Sequence, residues 1–186
     1  PRFLQEVCGE SYDEGGKPVT MQDLKAASVL DWPNKRTAAV PQAKRYKKLF
    51  LSIDWGGGGG AVPGTAEAAK NKPRTSWTCY SVLGLNPRGG VDVIYGHRSL
   101  KTHDPLYEAI LAARLAKEFR CARIVHDFSY AGSQQEIFLR QAGWPADKII
   151  GVRYTRPNVK DLVTYHEPGE DGSVLGYYGL IKAVSL

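Results

Sequence analysis

The run Lys48–Trp55, KLFLSIDW, constrains the fold most, because it is apolar at nearly every position over the length of one strand and then ends on a carboxylate. Apolar residues at successive rather than alternate positions predict a strand buried on both faces of a sheet, the pattern of α/β proteins. Asp54 is followed by Trp55 and then by five glycines, Gly56–Gly60. Read as a tether, the segment from Gly57 to Pro73 is a mobile loop. Read as part of a site, Gly56 and Gly57 clear side chains from the approach to Asp54.

The segments after this run alternate in period. TSWTCYSVLGL (75–85) and VDVIYGHR (91–98) are β-rich and are joined by the turn NPRGG, which predicts a hairpin. DPLYEAILAARLAKEF (104–119) spaces Leu106, Ile110, Leu111, Leu115 and Phe119 as the apolar stripe of a helix, with Asp104 as N-cap and Pro105 at the first helical position. CARIVHDF (121–128) predicts a strand, AGSQQEIFLRQAG (131–143) a helix ending at Gly143, and KIIGVRY (148–154) another strand. Two further β-like runs flank the turn PGEDGS, and IKAVSL resembles the start of another element. Residues 1–47 differ in texture: Thr20 caps a short predicted helix, and PNKRTAAVPQAKRYKK is basic and irregular, so this part reads as a linker or arm ahead of a domain at 48–186. Pro1 in place of a starting Met suggests a piece of a longer chain.

Asp54 and Asp127 occupy matching positions, each at the carboxyl end of an apolar strand and each followed by an aromatic and then small residues, DWGGG and DFSYAG. Sites in open α/β sheets form beyond the carboxyl ends of strands, so the two acids are candidates for one site. Two carboxylates brought together repel unless a cation neutralises them. Magnesium suits such a pair, since it takes hard oxygen ligands, often one or two protein carboxylates, and completes its shell with water and phosphate. The alternative is a pair of ordinary turn or capping aspartates.

Composition bounds the possibilities. A chain of 186 residues holds one full domain, and no apolar run reaches the ~18–20 residues of a membrane span. The N-terminus has no secretory pattern, and Cys8, Cys79 and Cys121 form neither a CxxC pair nor an even set, so they read as reduced cytosolic thiols. The formal charge of +6 favours a polyanionic partner.

An antiparallel three-strand start followed by helix, strand, helix and strand, with acids on the first and fourth strands, is similar to the ribonuclease H-like fold. Within it, LFLSIDWGGGG, TSWTCYSVLGL, VIYGHR, IVHDFSYAG and KIIGVRY together resemble the nuclease domain of the large terminase subunit of tailed bacteriophages, over residues 45–186. The segment PRFLQEVCGESYDEGG is similar to the stretch that joins the terminase ATPase motor to that nuclease. The resemblance implies a mixed sheet flanked by helices, with Asp54 and Asp127 as catalytic metal ligands for two Mg²⁺ or Mn²⁺ ions. The implied chemistry is two-metal hydrolysis of double-stranded DNA during genome packaging, one ion generating hydroxide and the other stabilising the leaving 3′ oxygen. It also implies the portal and small terminase subunit as partners of the full-length protein, and the cytoplasm of the infected bacterial host as its place of action. The family's third acid has no counterpart in this sequence. Asp161 begins a strand-like run, and Glu170 and Asp171 lie in a turn. The expectation is a chain that stops before the third acid, binds metal poorly, and cleaves weakly or not at all.

Candidate phosphate contacts are Lys70, Lys72 and Arg74 after the first strand, Arg98 and Lys101 after the third, and Arg153, Arg156 and Lys160 after the fifth. Each has the alternative of a solvated surface cation. His97, His103, His126 and His166 lack ligand spacing, and His126, which alternates with Asp127 along its strand, reads as a packed residue. Tyr177 and Tyr178 read as sheet residues. Three other functions stay open: a junction resolvase of the same fold, an actin- or sugar-kinase-like ATP-binding domain suggested by DWG, and a non-catalytic nucleic-acid-binding module. The kinase-like proteins need two copies of the core and a second acidic phosphate motif, and there is no GxxxxGK[ST] here.

Overall fold

The computed structural model describes residues 20–56, 77–99, 104–128, 132–155, 163–170 and 173–181. The chain divides into two units, Pro1–Pro33 and Asn34–Leu186. In the first, helix α1 (Met21–Ala27) starts at a complete capping box: Thr20 Oγ1 accepts from the Asp23 amide at 3.1 Å, and Asp23 Oδ2 accepts from the Thr20 amide at 2.8 Å.

The second unit is built on seven strands among the described residues: β1 (Lys48–Asp54), β2 (Cys79–Leu85), β3 (Val91–Arg98), β4 (Arg123–Asp127), β5 (Ile149–Thr155), β6 (Val163–His166) and β7 (Tyr177–Ile181). Their order in the sheet is β3-β2-β1-β4-β5-β7-β6. β1, β2 and β3 pair antiparallel, β1–β4, β4–β5 and β5–β7 pair parallel, and β6 returns antiparallel on β7. Helices α2 (Arg36–Ala39), α3 (Pro105–Glu118) and α4 (Gly132–Gln141) accompany the sheet. This is the mixed α/β arrangement of a ribonuclease H-like sheet.

Local chemistry explains the turns. The β2–β3 hairpin closes on Asn86, whose Oδ1 accepts from the amides of Arg88 at 3.0 Å and Gly90 at 2.9 Å, while Gly89 takes the left-handed conformation at φ 87°. α3 begins as its sequence predicts: Asp104 Oδ1 accepts from the Leu106 amide at 2.9 Å, with Pro105 at the first helical position. α4 is closed by Gly143 at φ 79°, and the Trp144 amide reaches back to the Leu139 carbonyl.

Two expectations need correction. β1 is not buried equally on both faces: Leu49, Leu51 and Ile53 are buried, Phe50 and Ser52 are half-buried, and Lys48 and Asp54 are exposed. The cause is one-sided cover. Tyr80 of β2, paired with Ile53, bonds Glu108 of α3; Gly151 of β5, paired with His126, lies under Glu136 of α4. These contacts fall on one face, called here the helix face. Of the predicted α3 stripe, Leu115 and Phe119 are buried and Leu111 is half-buried, but Leu106 and Ile110 are 38% and 44% exposed, and Glu108, Ala109, Ala112, Ala113 and Ala116 share the buried face instead. Glu108 turns inward because it accepts hydrogen bonds from Tyr80 Oη and from Ser99 Oγ, the latter at 2.6 Å. The alanines then let the helix approach closely.

The basic stretch after Pro33 is ordered rather than irregular. It forms α2 and a 3-10 helix over Val40–Arg45, and residues 34–47 belong to the second unit. Asn34 pairs with the backbone of Gly96, donating to its carbonyl at 3.0 Å and accepting from its amide at 2.9 Å, so a side-chain amide occupies part of the β3 edge. Tyr46 lies so close over Gly84 that an added Cβ would stand well inside van der Waals contact of its Cδ1. Gly84→Ala is therefore expected to destabilise the protein by about 1–3 kcal/mol, as overpacking does. In a Tyr46→Ala background the same change should cost less than about 0.5 kcal/mol, a non-additivity that urea unfolding of the four variants would measure.

Candidate active site

The parallel register of β1 and β4 decides where the two aspartates stand. Phe50, Leu51, Ser52 and Ile53 pair with Arg123, Ile124, Val125 and His126, so the next step along both strands brings Asp54 beside Asp127. Paired residues of neighbouring strands share a face, and adjacent strands are about 4.8 Å apart. Both carboxylates therefore project from the face opposite the helix face, at the carboxyl ends of adjacent strands. Asp54 is exposed and Asp127 half-buried, so neither bears the full desolvation expected of an acid behind an apolar run.

The same row extends sideways. Asp54 pairs with Cys79, Cys79 with Arg98, and Asp127 with Val152. Arg98 is exposed and sits two strands from Asp54 on the aspartate face. Arg153 does not join them: it lies within β5, and alternation after Val152 turns it to the helix face. Lys70, Lys72, Arg74, Lys101, Arg156 and Lys160 lie outside the described residues, as do Gly57, His103, Asp161 and Asp171. Glu170 sits in its turn and meets His166 Nδ1 at 2.9 Å, the structural role its position implies.

Residues flanking the aspartates anchor them from the helix face. Trp55 Nε1 donates to His126 Nδ1 at 3.1 Å, and the Gly56 amide donates to Thr78 Oγ1 at 3.1 Å. The end of β1 is thereby tied to β4 on one side and to the start of β2 on the other, which fixes the backbone carrying Asp54. Neither Trp55 nor Thr78 is marked by sequence alone, although the order acid, aromatic, glycine after a strand is the available signal.

His126 is 1% exposed, and burial pushes its imidazole down to about 4. It is neutral near pH 7; its Nδ1 lies 3.1 Å from both the Trp55 indole nitrogen and the Asp127 carbonyl oxygen, while its buried Nε2 has no hydrogen-bond partner among the described residues. It is a packed anchor, as its sequence position indicates, and not a base. Glu136, fully buried in α4, accepts from the amides of Val174 and Leu175 at 3.0 and 3.3 Å, and burial raises its carboxyl above the usual range.

Two carboxylates on neighbouring parallel strands, with glycine backbone beside them, form a hard-oxygen donor set that fits a divalent ion such as Mg²⁺ or Mn²⁺. Among the described residues no group of three or more His, Cys, Asp or Glu side chains gathers to hold a metal, so Asp54 and Asp127 stand as a pair. Cys79 is a free exposed thiol, and Cys121 is buried and pushed up to about 12. No helix among the described residues is long and apolar enough to cross a membrane. Comparison with protein-family models, curated proteins and solved structures found no match.

The anchor carries a pH dependence. The unfolded chain takes a proton on His126 from about pH 6.5, but the folded chain refuses it until about pH 4. The stabilisation is therefore complete above pH 6.5 and is lost as the pH falls, at about 1.4 kcal/mol per unit. Glu136 works in the opposite sense, because the folded state keeps its proton to higher pH than the unfolded state does. Urea unfolding at pH 7 and pH 5 should show His126→Gln losing about 2 kcal/mol less than the parent protein over that interval.

Proposed function

We propose that the second unit is a metal-dependent nuclease domain acting on phosphodiester bonds of double-stranded DNA, of the kind the terminase resemblance implies. The observation that carries this reading is the parallel register that pairs Ile53 with His126, since one step further along both strands stand Asp54 and Asp127, at the carboxyl ends of β1 and β4. In this reading Asp54 and Asp127 hold the divalent ions, which when bound supply activation of water and neutralisation of charge on the leaving oxygen.

The remaining steps belong to the chain itself. Trp55 and Thr78 tie down the strand end, so the backbone that carries Asp54 is already positioned when substrate arrives. Gly56 leaves the approach beside Asp54 free of a side chain. Arg98, in the same row, offers a guanidinium to a backbone phosphate and fixes the duplex in register rather than reading its sequence. The basic net charge assists encounter with a polyanion.

A metal-independent binding module is the second reading, favoured by the lack of a third carboxylate near the pair among the described residues. The two separate in one experiment. Mn²⁺ at ten times its dissociation constant should stabilise the fold by about 1.4 kcal/mol, a rise of about 3–6 °C in Tm for a domain of this size. Asp54→Asn and Asp127→Asn should each remove that rise. Whatever Mn²⁺-dependent nicking of supercoiled plasmid the parent protein shows, weak with no third carboxylate near the pair among the described residues, should fall by more than about 100-fold in each variant, since even the outer partners of metal ligands are worth about 10–100-fold. A rise that persists in both variants, or none in the parent protein, would leave the metal-independent module as the function.

A further inference from the structure

At the β3 edge of the sheet, a cleft of about 350 Å³ opens between β3, α2 and α3. Its size is at the lower end of the roughly 300–1,000 Å³ typical of small-ligand sites. Its wall carries Arg36, Arg98 and Arg114 together with His97, Tyr95 and Tyr107, and among the described residues no carboxylate lines it. Three arginines, one at a helix start, one at a strand end and one on a second helix, border the same cleft, and like charges so gathered repel one another unless an anion relieves them.

Nearby acids leave that charge largely uncompensated. Glu118 pairs with Arg36 through Nε at 3.6 Å, which leaves the other guanidinium donors available. Glu108 stands behind the wall, engaged by Ser99 and Tyr80. Arg98 and Arg114 have no ion-pair partner among the described residues.

The floor is rigid. Tyr80, His97, Tyr95 and Phe119 stack in sequence, with centroid separations of 6.0, 6.4 and 5.4 Å, and Tyr95 is 8% exposed. Asn34 fixes the neighbouring backbone of Gly96 by two hydrogen bonds. A preformed cleft binds without first having to order its wall.

We propose that this cleft is a phosphate-binding site, distinct from the aspartate pair and independent of metal. The ligand is a phosphate group, carried either by a nucleic-acid backbone or by a free nucleotide. Arg98 stands at the end of β3, where its register assigns it to the aspartate row and it also borders the cleft, so its guanidinium serves one of the two regions at a time. A duplex engaged at the aspartates and extending over β2 and β3 reaches the cleft at the sheet edge; this route rests on the proposed nuclease function, whereas phosphate binding itself does not.

The test is done in EDTA, so that failure of the metal site does not affect it. Binding of a 20-base-pair duplex, of AMP and of inorganic phosphate is measured for the parent protein, Arg114→Gln, and Arg88→Gln as a control of equal charge change in the exposed hairpin turn. With a backbone ligand, Arg114→Gln weakens duplex binding at least threefold and lowers the slope of log K against log salt by about one, while Arg88→Gln changes neither. With a nucleotide ligand, AMP or phosphate at millimolar concentration raises Tm in the parent protein and not in Arg114→Gln, and duplex affinity is unchanged. Equal weakening by Arg88→Gln would assign the effect to diffuse basic charge and overturn the proposal, as would no change in any of the three ligands with Arg114→Gln.

Discussion

The parallel pairing of β1 with β4 is the constraint on which the candidate site depends. Strands alternate their side chains with a period of two, so the register that sets Ile53 beside His126 also sets Asp54 beside Asp127 on the other face. A slip of one residue between these strands would bury one aspartate against the helices and expose part of the core. Packing and the site are specified together for that reason. Leu49, Leu51 and Ile53, buried on the helix face, hold the register that the carboxylates on the opposite face require.

The order of elements was legible in the sequence because each carries its own local signal. The apolar runs ending at Asp54 and Asp127, the NPRGG turn, the Asp104–Pro105 start of α3 and the Gly143 stop of α4 are set by chemistry within a few residues. The face that each element buries is set by contacts across the chain, and there the reading fell short. Glu108 is an ordinary helix residue by composition, yet it turns inward because Tyr80 and Ser99, distant in sequence, present hydroxyls to it. Leu106 and Ile110 are left partly exposed, which no periodicity within the helix reports. Likewise PNKRTAAVPQAKRYKK has no apolar stripe, and its order comes from Gly84 admitting the Tyr46 ring and from Asn34 completing the β3 edge.

Of the candidate site, the acids are legible in one dimension but their supports are not. Asp54 and Asp127 stand out as charges ending apolar runs, a pattern visible in one dimension. Arg98 joins their row only through two antiparallel pairings, and Arg153 leaves it through the alternation of β5. Trp55 and Thr78 act through hydrogen bonds to partners on other strands, which a single segment cannot announce.

The helix face is unusual in how much polar chemistry it buries at the carboxyl ends of its strands. His126, Glu108, Gln135 and Glu136 are all at most 6% exposed. A buried polar group left without a partner costs about 1–3 kcal/mol, so such groups persist where they fix geometry that apolar packing leaves free. Glu108 joins α3 to β2 and to the end of β3, Glu136 holds the amides that precede β7, and His126 receives the indole beside Asp54. Gly151 is the matching concession in the sheet, since a Cβ there would meet Tyr177 at 3.1 Å, Phe128 at 3.2 Å and Glu136 at 3.4 Å. Apolar side chains could fill this volume, but they would not fix the rotation of each strand end. The polar contacts do, and because neighbouring residues alternate between faces, orienting His126 and Trp55 on one side orients Asp127 and Asp54 on the other.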